Sequence, residues 1–332
     1  MNITECMAFD AAARWFSRVA AILFRMLLLP MLSSRLGKKK PFGWILFGQN
    51  RAVLAVFGLG FSVAEPFAQE FPGHFLNAGV AEHNMTRIAA GLASEGFHVF
   101  TYSIANFPTF RCLEQIRNDV CHHNLAVTFV AVGGGLACGN LGYSHHALQD
   151  LVILRTRPGM TVLAPGDPAD AQECVGWLAR HPGAAYLRIG KAGESKLHGV
   201  GGIEHGPLLI RKGTTDIALV TTGGILDEAL AAHEVLAMAG HRVPVYSLPW
   251  LKPLSPRLLA ALAPYRCLVT VEEHLPEGGL AAALREQRPG TLVRSVAVPE
   301  EVSGKMGNQA FLRRESGVSA DHIVALCRGL LG

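Results

Sequence analysis

The chain has 332 residues, of which 50% are hydrophobic and 17% charged. That is enough apolar material for two ordinary domain cores and too much for a disordered or fibrous chain. The 30 basic and 26 acidic residues leave a formal charge of +4, too weak a bias for a nucleic-acid binder.

The basic excess is local. Between Met1 and Arg51 the basic residues Arg14, Arg18, Arg25, Arg35, Lys38, Lys39, Lys40 and Arg51 face only Glu5 and Asp10. Residues 11–32 are apolar but are broken by Arg14, Arg18 and Arg25, and the longest uncharged run, 26–34, contains Pro30. A spanning helix needs about 20 predominantly apolar residues. A secretory signal carries its basic residues before the apolar run, whereas a lysine cluster follows this one. The three arginines recur at helical spacing, so residues 1–50 read as a helical extension, either a packing or poorly ordered helix or a membrane-surface helix.

From about residue 52, short apolar runs alternate with amphipathic stretches. Strands are expected at 52–57, 75–78, 98–101, 126–131, 161–163 and 185–188. Helices are expected near 63–70, 82–94, 109–122, 146–155 and 168–180. Asp167 followed by Pro168 marks a helix start, a cap with proline in the first turn. Residues 191–206 are polar and glycine-rich and mark a boundary. A second alternation follows, with strands at 216–221, 242–247, 267–271 and 292–296. Its helices fall at 225–239, 256–262, 280–287, 309–313 and 320–330. The pattern predicts an α/β protein with two doubly wound domains, a mainly parallel sheet in 51–195 and a smaller α/β domain in 205–332. No glycine-rich nucleotide motif stands in a strand–turn–helix setting; Gly133-Gly134-Gly135 follows a strand, but no helix pattern starts on it. The seven cysteines form no Cys-x-x-Cys pair, which gives no zinc or redox signal and fits a reducing cytoplasm.

Four clusters follow expected strand ends, where open α/β sheets bind ligands. Glu82 opens a helix after Asn77-Ala78-Gly79. It is either a functional acid or a charge that complements the helix dipole. Phe107 and Phe110 open the next helical stretch and could serve as core residues or as a ligand platform. His145 and His146 end a glycine-rich loop, without the cysteines or carboxylates at ligand spacing that would mark a metal site. Arg188 closes a strand near Lys191, a possible anion contact.

Together these motifs resemble the transketolase family of thiamin-diphosphate enzymes. Residues 59–191 resemble its pyrimidine-binding domain through Ala81-Glu82-His83-Asn84-Met85, Ala89-Ala90-Gly91-Leu92-Ala93, 112–119 (CLEQIRND), 142–146 (GYSHH) and Arg157-Pro158-Gly159-Met160-Thr161-Val162. The residues from about His205 onward resemble its C-terminal domain through Val271-Glu272-Glu273-His274 and Gly278-Gly279-Leu280. The wording is nearest to free-standing C-terminal subunits of split transketolases.

The resemblance implies the roles. Glu82 matches the glutamate that hydrogen-bonds the N1′ atom of the aminopyrimidine and favours its imino tautomer; that role requires burial to outweigh the helix N-terminus in setting its proton affinity. Phe107 or Phe110 stacks on the pyrimidine, with Phe107 favoured. His145 matches a catalytic histidine facing cofactor and donor sugar, and Arg188 an arginine that grips a sugar phosphate. The implied reaction is transfer of a two-carbon ketol unit between sugars or sugar derivatives, in the cytoplasm. Other readings are a subunit like deoxyxylulose-phosphate synthase or like the beta chain of a 2-oxo-acid decarboxylase, and a non-catalytic interaction subunit.

The departures carry information too. The Gly-Asp-Gly…Asn motif of the diphosphate- and Mg²⁺-binding domain is missing, and no Gly-Asp-Gly occurs in the sequence. Thiamin diphosphate would therefore be shared with an N-terminal partner subunit that holds Mg²⁺, in a heterotetramer. The family's cofactor-side aspartate falls at Gly58, its phosphate-side histidine at Gly133, and its donor-reading aspartate at Leu141. A less polar pocket follows.

Overall fold

The computed structural model describes residues 51–56, 67–191, 193–199, 208–302 and 304–332. The N-terminal extension, Gly58 and the first half of the helix expected at 63–70 lie outside them, while residues 67–70 are helical. Strands β1 (Arg51–Val56), β2 (Phe75–Asn77), β3 (Phe97–Ile104), β4 (Val127–Val132), β5 (Thr161–Leu163) and β6 (Ala185–Ile189) come from the first half of the chain. Strands β7 (Leu208–Arg211), β8 (Ile217–Thr222), β9 (Val245–Ser247), β10 (Trp250–Lys252), β11 (Cys267–Glu272) and β12 (Leu292–Val296) come from the second. They form a seven-stranded sheet in the order β10-β5-β6-β4-β3-β1-β2 and a five-stranded sheet in the order β12-β11-β8-β9-β7. Both are parallel except where β10 pairs with β5 and β7 with β9.

The sequence explains the parallel centres. Strands β8 and β11 are buried at every residue, and β4 at all but its last. Such runs need cover on both faces, which only crossover helices supply. Those helices are α1 (Glu82–Ser94), α2 (Asn106–Arg111), α3 (Asp150–Arg155), α4 (Pro168–Arg180), α5 (Leu226–Met238), α6 (Pro256–Ala261), α7 (Leu280–Gln287), α8 (Gln309–Glu315) and α9 (Ala320–Leu331). Three start on side-chain caps: Asp167 accepts from the Asp170 N–H, Ser255 from Leu258 and Asn308 from Phe311. Each cap satisfies a donor that the first turn cannot pair.

Several expectations need correction. Strands β7 and β10 lie where no strand is predicted. The strand expected at 242–247 shortens to β9. The helix expected at 109–122 starts earlier, at Asn106, breaks at Cys112, and resumes as a short turn, Leu113–Gln115, that leads into a π-helical segment, Ile116–Cys121. The helix expected at 146–155 is confined to α3, because Gly135 and Ala147 exchange backbone hydrogen bonds, which takes the start of that stretch into a bridge instead of a helix.

Strand β10 also carries the second half of the chain onto the first sheet. Trp250 pairs with Leu163, the Ala164 N–H donates to Pro249 O at 2.7 Å, and the Trp250 ring meets Trp177 edge-on at 4.5 Å. One apolar cluster contains Phe129 and Leu151 together with Val220 and Leu280, so the two sheets share a core. No helix among the described residues is long and apolar enough to cross a membrane.

The connection between the halves is pinned by a charge triad. His198 Nε2 lies 3.2 Å from an oxygen of Asp167 and 3.2 Å from one of Asp170. Asp167 also accepts the backbone N–H groups of Leu197 and His198, and Asp170 accepts from Gly166 and from Ser247 Oγ. The two carboxylates beside it push the His198 imidazole up to about 10 from 6.5. Because folding raises this pKa, the contribution is complete below about 6.5 and is lost as pH rises through about 10. Wild type is therefore expected to lose up to about 1.4 kcal/mol per pH unit across that window relative to His198→Asn. Urea unfolding at pH 6, 8 and 9.5 measures this, and equal pH slopes for the two proteins would refute it.

Candidate active site

The carboxyl ends of β2, β3 and β4 feed three segments into one place. A turn through Gly79 leads from β2 to Glu82, the first residue of α1. Strand β3 runs straight into α2, which carries Phe107, Phe110 and Arg111. Strand β4 leads to a loop whose last turn is Tyr143–His145.

Glu82 is 2% exposed. One carboxylate oxygen, Oε2, accepts from Arg111 Nη1 at 2.9 Å. The other, Oε1, is buried and has no hydrogen-bond partner. A buried acceptor left unpaired forfeits its solvation, so this atom marks where a donor is missing. The helix-dipole alternative accounts for the placement of Glu82 at the helix start but not for its burial with one oxygen unpaired.

Phe107 is half-buried, with the Arg111 guanidinium carbon 4.7 Å from its ring centroid. Its ring meets His145 edge-on at 5.1 Å. Phe110 is 47% exposed and lies outside this set of contacts. The histidine loop is tied to α2 by Asn106, whose side-chain amide donates to Ser144 O at 3.0 Å. Ser144 Oγ lies 3.0 Å from His145 Nδ1. Burial, helped by the neighbouring His146, pushes the His145 imidazole down from 6.5. It is therefore neutral near pH 7 and able both to accept and to donate.

Arg188 sits elsewhere, in the seam between the two halves. It is 4% exposed, its Nε lies 3.4 Å from Asp150 Oδ2, and its Nη2 donates to Ala147 O at 3.0 Å and to Glu273 O at 2.6 Å. The residue expected to grip a sugar phosphate thus meets a carboxylate and two carbonyls of its own chain. Tyr186 donates to the same Asp150 oxygen at 2.7 Å, and Thr109 of α2 donates to Tyr186 at 3.3 Å. The seam is thereby linked to the helix that carries Phe107.

The Gly133-Gly134-Gly135 run explains itself here. A Cβ on Gly134 would collide with the Arg188 side chain, and one on Gly135 with Glu273. The glycines let these two charged groups approach the backbone. Position 133 has φ +78° and faces Cys138 Sγ, so it cannot take a histidine without rearrangement. Leu141 is 46% exposed, leaving an apolar group where a donor-reading carboxylate would stand.

Sequence reasoning missed Arg111, Asp150 and Tyr186. For Arg111 a signal existed: it follows Phe107 by one helical turn, the spacing at which side chains meet. The others pair across the fold and leave no local pattern.

The chain belongs to the transketolase family. Residues 33–193 match the family's pyrimidine binding domain and residues 206–323 its C-terminal domain. The chain is 33% identical over 260 residues to a putative transketolase C-terminal section of Methanocaldococcus jannaschii, covering 75% of this chain and 81% of that one. It is 32% identical over 243 residues to one subunit of the apulose-4-phosphate transketolase of Phocaeicola vulgatus, covering 71% and 77%. It is also 37% identical over 279 residues to a 1-deoxy-D-xylulose-5-phosphate synthase of Anaeromyxobacter sp., but spans only 43% of that protein. Among solved structures it superposes with a TM-score of 0.74 and 27% identity on a split gene transketolase described as an inactive beta4 tetramer, covering 92% of this chain and 95% of that one.

The family's cofactor is thiamin diphosphate. The residues present fit its aminopyrimidine: an unpaired buried acceptor on Glu82, an aromatic ring on Phe107 and a neutral imidazole on His145.

Proposed function

We propose that this chain is the pyrimidine-side subunit of a split, cytoplasmic, thiamin-diphosphate-dependent enzyme that transfers a two-carbon ketol unit between sugars or sugar derivatives. A separate subunit would supply the diphosphate and Mg²⁺ ligands, and the two would assemble as a heterotetramer. The observation that carries the reading is the unpaired, buried Oε1 of Glu82.

When bound, the cofactor supplies a nucleophilic carbon that takes up and releases the transferred unit. This chain's residues bind and move protons around it. Glu82 Oε1 would accept from the ring nitrogen and hold the proton they share, Phe107 would provide the stacking face, and neutral His145 would donate to or accept from a donor hydroxyl. Gly133 and Leu141 remove polar groups from the substrate side, which favours a donor or acceptor less hydroxylated than an ordinary pentose phosphate. We offer no substrate role for Arg188, whose Nε and Nη2 already meet Asp150, Ala147 and Glu273.

A second reading has support of its own. Several relatives are deoxyxylulose-phosphate synthases, a reading in which the donor would differ from a ketose. Reconstitution separates the two. The full chain, mixed with a partner that carries the Gly-Asp-Gly motif, is expected to bind thiamin diphosphate with Mg²⁺ in calorimetry and to turn over a ketose phosphate with an aldehyde acceptor. The chain alone is expected to give no measurable heat. Magnesium-dependent micromolar binding by the chain alone would refute the shared site. Turnover of pyruvate in place of a ketose donor would select the synthase reading.

A further inference from the structure

Arg111 ends α2, one helical turn after Phe107. Its guanidinium makes two contacts at once. Nη1 donates to Glu82 Oε2 at 2.9 Å, and Cζ lies 4.7 Å from the Phe107 ring centroid. The two ends of the ion pair differ sharply: the Arg111 side chain is 49% exposed and that of Glu82 2%. An ordinary surface ion pair holds two solvated groups and does little. Here a half-exposed cation reaches in to one oxygen of a buried carboxylate and leaves the other without a partner.

The consequence is geometric. The terminal torsion of a glutamate is broad, so an unrestrained carboxylate turns freely about its last bond. Tying Oε2 to a fixed donor sets the carboxylate plane and with it the direction of Oε1. The donor is itself fixed, because the planar guanidinium lies against an aromatic ring. That ring stands edge-on to His145, so one residue holds the acid in register with both other groups of the site.

We propose that Arg111 is a positioning residue: braced against the Phe107 ring, it anchors one oxygen of Glu82 so that the other is held ready for a donor of the aminopyrimidine ring. This rests on the reading of Glu82 and Phe107 as cofactor contacts. Lysine at 111 keeps the charge but not the planar face, so it is expected to restore part of the function that alanine loses.

The test uses the reconstituted two-subunit enzyme and the full chain alone. In the complex, Arg111→Ala is expected to lower kcat at saturating cofactor roughly 10- to 10²-fold. The substrate KM should be little changed, and Arg111→Lys should recover part of the loss. Calorimetry of the same complexes should show thiamin diphosphate bound on the order of 10-fold more weakly by Arg111→Ala. In crystals of the chain alone, the Glu82 carboxylate should leave its position in Arg111→Ala and keep it in wild type. Glu82→Gln in the same complex distinguishes the two ways of failing. If Glu82→Gln is inactive while Arg111→Ala keeps wild-type turnover and affinity, the positioning role is overturned and the cofactor reading stands. If Glu82→Gln is itself active, the cofactor reading falls and takes the positioning role with it.

Discussion

Glu82→Gln is expected to leave the fold intact and to cut turnover of the reconstituted enzyme by roughly 10²-fold or more. Glutamine keeps the size of the side chain and an acceptor oxygen for Arg111 Nη1, now 2.9 Å from Glu82 Oε2. What it loses is the exchangeable proton. If Glu82 served only the helix dipole, the change would cost ~0.3–1 kcal/mol of stability and nothing in rate. If it served only the Arg111 pair, the loss would again be small, because that partner is half-exposed. The unpaired Oε1 separates these accounts, since neither a dipole nor the ion pair uses it. The measurement is kcat at saturating thiamin diphosphate and Mg²⁺, with the melting temperature as a check on folding. Turnover near wild type in Glu82→Gln would remove the central group of the proposed chemistry and leave the non-catalytic interaction role as the better reading.

The parts legible in the sequence are those written locally. Helix α4 has its start spelled out by Asp167 and Pro168, and the expected span matches residue for residue. Helix α1 is legible for the same kind of reason: Gly79 with φ +70° breaks the chain, and the apolar positions Met85, Ala89, Ala90 and Ala93 then recur on one buried face. Strand β10 was illegible because its partner is β5, far back in the chain, and nothing in Trp250-Leu251-Lys252 announces that pairing. Strand β7 is short, lies at an edge and alternates poorly, with one of its four residues exposed and none fully buried.

The site divides along the same line. Glu82, Phe107 and His145 follow strand ends in motifs that local reasoning can reach, and the fold brings them together. Arg188 also follows that pattern, but its surroundings are set by Asp150 and by Glu273 from the other half of the chain. No periodicity encodes a contact of that kind. The triple glycine was visible, yet its meaning depended on which side chains the fold would press against it.

Those long-range contacts should carry the largest stability effect in the molecule, and Arg313→Ala is expected to destabilise the protein by about 3–5 kcal/mol. Arg313 is 6% exposed and Glu273 5%. Arg313 Nε lies 2.5 Å from Glu273 Oε1, its Nη1 bonds both Asp227 oxygens at 2.9 and 3.0 Å, and its Nη2 donates to Gly224 O at 2.6 Å. Glu273 in turn accepts the Leu136 N–H at 3.1 Å from the first half of the chain and the Gln309 amide at 3.0 Å from the second. Burial pushes the Glu273 carboxyl up, but the Arg313 charge, with these hydrogen bonds, holds it below its ordinary 4.5. In wild type the pair therefore contributes stability above about pH 4.5 that is lost as pH falls through the depressed folded pKa. Without Arg313 the balance reverses, because burial then dominates and the charged carboxylate becomes a cost. The deficit of Arg313→Ala relative to wild type should be large at pH 7 and shrink as the pH drops and the carboxyl takes up a proton. Glu273→Gln in the same background should recover much of the loss at pH 7, since the amide can still accept from Leu136 without a buried charge. Glu273 also reaches the first half through the Leu136 N–H, so loosening it by removing Arg313 should let urea unfolding of Arg313→Ala separate into two transitions where wild type shows one. A deficit under about 1 kcal/mol that is flat with pH and retains a single transition would mean that the shared apolar core, not this charge network, couples the two sheets.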